Sequence, residues 1–199
     1  MKGNGNSIEI SRRIFDVGFA SLTLLALSPA LAAIAAGIYL TTPGGAFYSQ
    51  ERLGKGRKPF VMYKFRTMYK DSENNGPQLT LPNDPRVTRF GRFLRKFHLD
   101  ELPQFWNVIK GDMTLIGPRP EREIYANRIE KIYPPYNRLF SIRPGITSSG
   151  MISYGYASDV DGMVERAHHD VDYLDNKSLK TDARILLTTV STIFKGKGI

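Results

Sequence analysis

The sequence predicts an α+β protein. A mainly helical domain with short strands fills residues 46–199, and an N-terminal re-entrant membrane helix occupies residues 1–45. Three observations carry this. Residues 14–40 are apolar but for one charge, Asp16, and are interrupted by Ser28-Pro29. Two short strand-like stretches flank the turn G-K-G-R at 54–57. Beyond residue 84, helical periodicity alternates with Gly/Pro breakers, and the first such segment is strongly basic and amphipathic.

A chain of 199 residues suits one ordinary domain. The hydrophobic fraction of 41% is globular, which argues against disorder. There is no cysteine, so disulfides and thiol chemistry are excluded, and metal ligands must be His or carboxylate. The net charge of +9 is unevenly placed: residues 51–97 hold 12 Lys and Arg against 4 Asp and Glu, whereas residues 101–199 hold 13 against 12. A localised excess implies an anionic partner, either nucleotide phosphates, nucleic acid or a lipid surface. A solvated basic face is the alternative.

The apolar segment admits three readings. S-R-R-I-F at 11–15 and A-L-A at 30–32 partly match an export signal, but the apolar run continues past that cleavage point. A spanning helix asks for Lys/Arg on one flank, yet Arg12 and Arg13 precede the run while Arg52, Lys55, Arg57 and Lys58 follow it. Proline removes a backbone donor, and Ser28 can bond back to the freed carbonyl. The halves 14–27 and 30–40 would measure roughly 21 Å and 16 Å, each short of a bilayer core of about 30 Å. A helix that enters, kinks at Ser28-Pro29 and leaves on the same side puts both basic flanks in the cytoplasm. A kinked spanning helix is the remaining alternative.

T-T-P-G-G-A at 41–46 ends that segment. Residues 46–54 and 58–68 read as strands, and the polar residues 70–85 as a loop. Asp84-Pro85 is read as a helix start, with Asp as cap. Val87, Phe90, Leu94 and Phe97 would then form one stripe among Arg86, Arg89, Arg92, Arg95 and Lys96. That pattern fits an interfacial helix or a helix packed on the core. A further helix ends at Lys110-Gly111, a strand covers 114–116, helices follow at 121–132 and within 172–194, and R-P-G at 143–145 is a turn.

The chemistry centres on H-L-D-E-L-P, residues 98–103. Asp100 and Glu101 stand directly after the basic run, and further cations sit in a strand or beside Pro or Gly: Lys64, Arg66, Arg119 and Arg143. Rigidly held Arg meets phosphate bidentately, and clustered cations keep carboxylates ionised. Such a carboxylate can bind Mg²⁺ or attack phosphorus. Acids in the first turn of a helix are the structural alternative, and the residues alone leave that contest even. No G-x-S-x-G, Walker loop or G-x-G-x-x-G is present. The His168-His169 pair reads as surface.

K-F-R-T-M, F-L-R-K-F-H-L-D-E-L-P-Q-F-W-N-V-I-K-G-D-M-T-L-I-G-P-R-P-E and S-I-R-P-G-I-T closely resemble the monotopic phosphoglycosyl transferases, the bacterial sugar transferase family, from about residue 8 to the C-terminus. The chain looks like a small, core-only member. The resemblance implies a re-entrant helix kinked at Ser28-Pro29 and a site at the cytoplasmic face of the bacterial inner membrane. It implies transfer of a phospho-sugar from a UDP-sugar to undecaprenyl phosphate with Mg²⁺, starting a polysaccharide or glycoconjugate. Membrane lipids and downstream glycosyltransferases are then the expected partners, and nucleic acid is not. By this likeness Asp100 attacks the β-phosphate, expels UMP and carries the phospho-sugar, while Glu101 helps with metal or proton handling. Lys64, Arg95 and Arg143 match family positions near the phosphates, with Arg66 of the same K-F-R-T-M block counted among the phosphate-binding cations. Arg119 matches the P-R-P arginine near the nucleotide, and Asp182 aligns with an aspartate of the family's last helix, for which a structural role is the alternative.

The chain departs from the family after R-P-G-I-T. Ser149 and Met151 stand where an aromatic residue and an amide are common, which bears on sugar or lipid contacts. Two rival readings are a membrane-anchored lipid- or nucleic-acid-binding protein using residues 51–97 alone, and an inactive scaffold. The sugar and the oligomeric state are not encoded in recognisable form.

Overall fold

The computed structural model describes residues 3–72, 76, 78–81 and 83–195. Its longest element is α1, Gly3–Thr41, a continuous helix with Pro29 inside it. Pro29 cannot donate to the carbonyl four residues back, at Leu25. The Ser28 hydroxyl donates to that carbonyl instead, at 2.8 Å, so the helix continues through the proline. Residues 9–41 are long and apolar enough to cross a membrane by length and composition.

α1 touches the rest of the protein at two separate places. Near its start, Arg12 pairs with Asp182 at 2.8 Å, Arg13 donates to the Ile109 carbonyl at 3.1 Å, and Asp16 accepts from the Thr114 hydroxyl. Ala20 is buried there with Met62, Val108 and Met113. Near its end, Ile38 is buried with Phe65 and Leu94. Between the two, residues 25–30 are all exposed, more than one full turn.

β1, Phe47–Leu53, and β2, Pro59–Phe65, form the expected antiparallel hairpin, with Phe47 opposite Phe65 and Leu53 opposite Pro59. The turn takes positive φ at Gly56 and Arg57, and Arg57 is tied to Glu130 at 2.8 Å. α2 is Arg89–Lys96, which corrects the helix start expected at Asp84-Pro85. The Asp84 carboxylate instead accepts from the Arg86 backbone and guanidinium, closing a local turn, and Val87 bridges to Met68 as extended chain. Thr88 is the cap, its hydroxyl accepting from Gly91 N at 2.8 Å. Gly91 is required there, since a Cβ would stand 2.1 Å from the Thr67 carbonyl oxygen. That close approach brings α2 onto the chain just beyond β2. Of the expected stripe, Leu94 is fully buried and Phe90 packs over Gly37 of α1.

α3 is Gln104–Lys110, ending in left-handed Gly111 as expected. Its buried Asn107 lies along the edge of β2, accepting from Tyr63 N at 3.1 Å and donating to the Val61 carbonyl at 2.7 Å. β3, Thr114–Ile116, pairs in parallel with β4, Gly145–Thr147. α4, Glu123–Ile132, packs with α6, Val160–Asp175, and the 3-10 stretch Pro134–Ser141 around Tyr125, Ile129, Leu139, Met163 and Val171. α5 is Ser149–Ser153 and α7 is Leu179–Phe194. α6 was not anticipated. The residues described within 70–85 form neither helix nor strand, as expected; residues 73–75, 77 and 82 of that loop lie outside the described residues.

Candidate active site

α2 ends at Lys96, and His98 adopts a left-handed conformation with φ 55°, which turns the chain sharply. The following 3-10 turn, Leu99–Glu101, directs both acids inward, each 7% exposed. The helix-cap reading of the pair is therefore insufficient: a first-turn acid serving only the dipole would stay in solvent.

The two carboxylates have different surroundings. Glu101 Oε1 accepts from Lys64 Nζ at 2.6 Å and from Arg119 Nη2 at 3.2 Å, with the Tyr156 hydroxyl at 3.5 Å. Among the described residues no hydrogen bond is made to the Asp100 carboxylate, which faces a cavity of about 310 Å³. The same cavity is lined by Lys64, Arg66, Arg95 and Arg119. Lys64 lies on β2, on the same face as Met62. Arg95 is on the last turn of α2, with its Nε donating to the Thr67 hydroxyl at 2.8 Å. Arg66 lies just beyond β2 and donates to the Phe47 carbonyl at 3.3 Å.

Arg119 is held twice. Its backbone N donates to Asp170 at 3.4 Å, and its guanidinium lies 5.1 Å from the Tyr156 ring centroid. Tyr156 in turn has its hydroxyl 3.0 Å from His98 Nδ1. Also on the cavity wall, Glu121 receives Arg166 at 2.5 Å and Arg52 at 3.4 Å.

These surroundings split the acids. Burial alone would raise the Glu101 carboxyl, but the Lys64 and Arg119 charges outweigh it and hold Glu101 well below the glutamate range, so it is ionised at neutral pH. Burial raises Asp100 above the ordinary aspartate value. Lys64 and Arg95 oppose that rise, and the neighbouring Glu101 charge adds to it. The result is a fixed anion beside a more basic, unpartnered carboxylate, the arrangement that separates an electrostatic role from a reactive one. Asp170 is pushed up to about 6, chiefly by burial, against the Gly150 N–H and Arg166.

Among the described residues no three His, Asp or Glu side chains gather to form a metal cage. Asp100 lines the cavity, and Glu101 keeps Oε2 beside the Oε1 that its two cations share. Two carboxylates on the wall of this basic cavity offer hard oxygens of the kind Mg²⁺ takes.

Asp100, Glu101, Lys64, Arg66, Arg95 and Arg119 are thus brought together. Arg143 is not. β4 begins two residues after it and pairs with β3, so Arg143 is exposed at the end of α3, with its Nε donating to the Gly111 carbonyl at 2.9 Å. Asp182 is also remote, bound to Arg12 and to the Tyr173 hydroxyl at 2.7 Å, where it ties α7 to α1. Sequence reasoning missed Tyr156, Thr67, Arg52, Glu121 and Arg166. Tyr156 lies in the stretch 148–156 that departs from the family pattern, and no local signal marks it.

Residues 7–196 match the sequence model of the family described as bacterial sugar transferase. The UDP-N-acetylgalactosamine-undecaprenyl-phosphate N-acetylgalactosaminephosphotransferase of Aeromonas hydrophila is 41% identical over 187 residues, covering 94% of this chain and 44% of that protein. The UDP-glucose:undecaprenyl-phosphate glucose-1-phosphate transferase of Xanthomonas campestris pv. campestris is 35% identical, covering 96% of this chain and 40% of that protein. The protein of the same description from Caulobacter vibrioides is 36% identical, covering 94% and 71%. The chain therefore spans less than half the length of the first two relatives.

The split makes opposite predictions for the two acids. Above 4.5, the ordinary glutamate value, Glu101 contributes its full stabilisation, which is lost as pH falls below that value toward its depressed native one. Glu101→Gln leaves two buried cations unpaired and should destabilise the protein by on the order of 3 kcal/mol at neutral pH. Ionised Asp100 instead costs stability, and that cost vanishes below the ordinary aspartate value of 3.8. Asp100→Asn should raise the unfolding midpoint at pH 7. Thermal unfolding of both variants against pH reads the signs, and a lowered midpoint for Asp100→Asn at pH 7 would contradict the assignment.

Proposed function

The chain belongs to the bacterial sugar transferase family, and from that premise we propose that it transfers a phospho-sugar from a UDP-sugar to undecaprenyl phosphate through a covalent intermediate on Asp100. The observation that carries this reading is the unpartnered, more basic Asp100 carboxylate beside a Glu101 locked in its charged form. An Asp100 oxygen attacks the β-phosphorus of the donor, and the bond from that phosphorus to the bridging oxygen breaks. UMP leaves with the bridging oxygen and the electron pair. A phosphate oxygen of undecaprenyl phosphate then attacks the same phosphorus, the bond to Asp100 breaks, and the carboxylate is restored. Neither displacement requires a net proton transfer at Asp100.

Phosphoryl transfer chiefly demands positioning and charge neutralisation. Arg95 and Arg66 line the cavity beside Asp100 and supply cations to the diphosphate, while Lys64 and Arg119 are held in place by Glu101. Asp100 and Glu101 would hold Mg²⁺, which when bound neutralises diphosphate charge and orients it. The relatives' names carry different sugars, N-acetylgalactosamine and glucose, so the donor is proposed as a UDP-sugar class. The product is the first lipid-linked sugar of a bacterial polysaccharide or glycoconjugate.

The site acts at the cytoplasmic face of the bacterial inner membrane, with α1 as a re-entrant helix. Support comes from contacts of α1 with one domain on both sides of the exposed residues 25–30, and from the basic residues flanking both ends of its apolar run. An apex that enters the bilayer while both ends stay with the domain meets both facts.

Two measurements test this reading. With solubilised protein, a panel of UDP-sugars, Mg²⁺ and undecaprenyl phosphate, the wild type should release UMP with one or more donors. Asp100→Asn should be slower by on the order of 10³-fold or more, as for loss of a nucleophile elsewhere. Equal release by Asp100→Asn removes the nucleophile assignment, and no release with any donor favours a binding protein or scaffold. For topology, Asn4→Cys in intact cells should react with a thiol reagent only after the cytoplasm is opened; labelling from outside alone would sink the re-entrant helix.

A further inference from the structure

Arg143 is left without a role by the cavity, and its surroundings are specific. α3 ends at Gly111, whose φ of 94° is left-handed. Arg143 Nε donates to the Gly111 carbonyl at 2.9 Å, and the side chain emerges beside Pro144, which stiffens the chain behind it. From the other element, Arg13 Nη2 donates to the Ile109 carbonyl at 3.1 Å and lies 3.3 Å from where a Cβ on Gly111 would stand. Two guanidinium groups therefore sit at the negative end of one helix, Arg13 on the Ile109 carbonyl and Arg143 on the Gly111 carbonyl.

The remaining charges near this point are already matched. Lys110 pairs with Asp112 at 3.2 Å, Asp16 accepts from Thr114, and Arg12 pairs with Asp182. Arg143 differs: among the described residues its Nη1 and Nη2 make no hydrogen bond or ion pair, and the side chain is exposed. A guanidinium anchored through Nε with both terminal nitrogens outward is a fork preset for a two-oxygen anion.

Exposed apolar side chains stand on the same two helices, α1 and α3. Ile14 and Phe15, directly after Arg13, are 68% and 57% exposed, and Trp106, one turn before Lys110 on the same face of α3, is 52% exposed. Arg143 is thus anchored on α3, and Arg13 on α1 meets the same helix end, while exposed aliphatic and aromatic side chains stand on these two helices where the apolar run of α1 starts. Cations together with Trp and apolar groups are the composition of a membrane interface.

We infer that Arg143, supported by Arg13, binds the phosphate of an anionic phospholipid headgroup at the end of α3 and so fixes the depth of the protein at the membrane surface. This rests on α1 being a membrane segment and not on the transfer reaction, so failure of UMP release leaves it standing. A free phosphate would satisfy the fork but not the exposed apolar side chains.

The test uses the full chain in uncharged detergent micelles, with thermal unfolding followed against short-chain phosphatidylglycerol, short-chain phosphatidylcholine or inorganic phosphate. Phosphatidylglycerol should raise the wild-type midpoint, and the other two should not. Arg143→Gln, its shift measured from its own lipid-free midpoint because it also loses the bond to the Gly111 carbonyl, should need roughly tenfold more phosphatidylglycerol for the same shift. Arg143→Lys keeps the charge without the fork and should fall between; it carries the test if the Gln variant is itself unstable. An unchanged response in both variants, or equal shifts with phosphatidylcholine, overturns the site. A shift reproduced by inorganic phosphate alone overturns its assignment to a lipid.

Discussion

The clamp of Lys64 and Arg119 on one oxygen of Glu101 is the interaction on which the rest of the site depends. It joins three segments distant in sequence: β2, the 3-10 turn after α2, and the rigid G-P-R-P between β3 and α4. Burying three charged groups is costly unless each is paired, and here one carboxylate satisfies two cations. The pairing also consumes Glu101. Asp100, one residue away, is left with burial and a negative neighbour, and its basicity rises accordingly. Two adjacent acids of nearly the same intrinsic strength thereby acquire different chemistry from environment alone.

Support for the clamp comes from packing that has no part in the reaction. Gly91 lets α2 close onto Thr67, which then holds Arg95 by its Nε. Asn107 ties α3 to the edge of β2, fixing the strand that carries Lys64. Asp170 accepts from Gly150 N at 2.7 Å and from Arg119 N, coupling the G-P-R-P segment to α5 and α6. Tyr156 completes the enclosure by contacting His98, Glu101 and Arg119 together.

Much of this was legible in the sequence where the signal is local. The hairpin, the Gly111 stop and the strand at 114–116 follow from turn chemistry and period. That Asp100 and Glu101 act with cations as far away in the chain as Lys64 and Arg119 is implied by the family resemblance, the residues alone leaving the acid pair an even contest. Signals that tertiary contacts override were misread. Asp84-Pro85 has the composition of a helix start, but the Asp84 carboxylate is occupied by Arg86 and the helix waits for Thr88. α6 carries an apolar stripe at Val160, Met163, Val164, Ala167 and Val171, yet the buried Arg166 and Asp170 on its inner side disguise the period. Arg143 shares its Arg-Pro-Gly rigidity with a phosphate-binding turn, but β4 carries it to the end of α3 instead. Rigidity of a cation is visible in sequence; the direction in which it points is not.

The central claim is that Asp100 becomes covalently attached to the phospho-sugar. Intact-protein and peptide mass measurement after mixing with a UDP-sugar accepted as donor, with Mg²⁺ and without undecaprenyl phosphate, tests it most directly. A mass gain of one phospho-sugar on the peptide containing Asp100, discharged on adding the lipid phosphate, is the expected result. Efficient transfer with no adduct, and UMP formed only when both substrates are present, would mean direct displacement and would contradict the account.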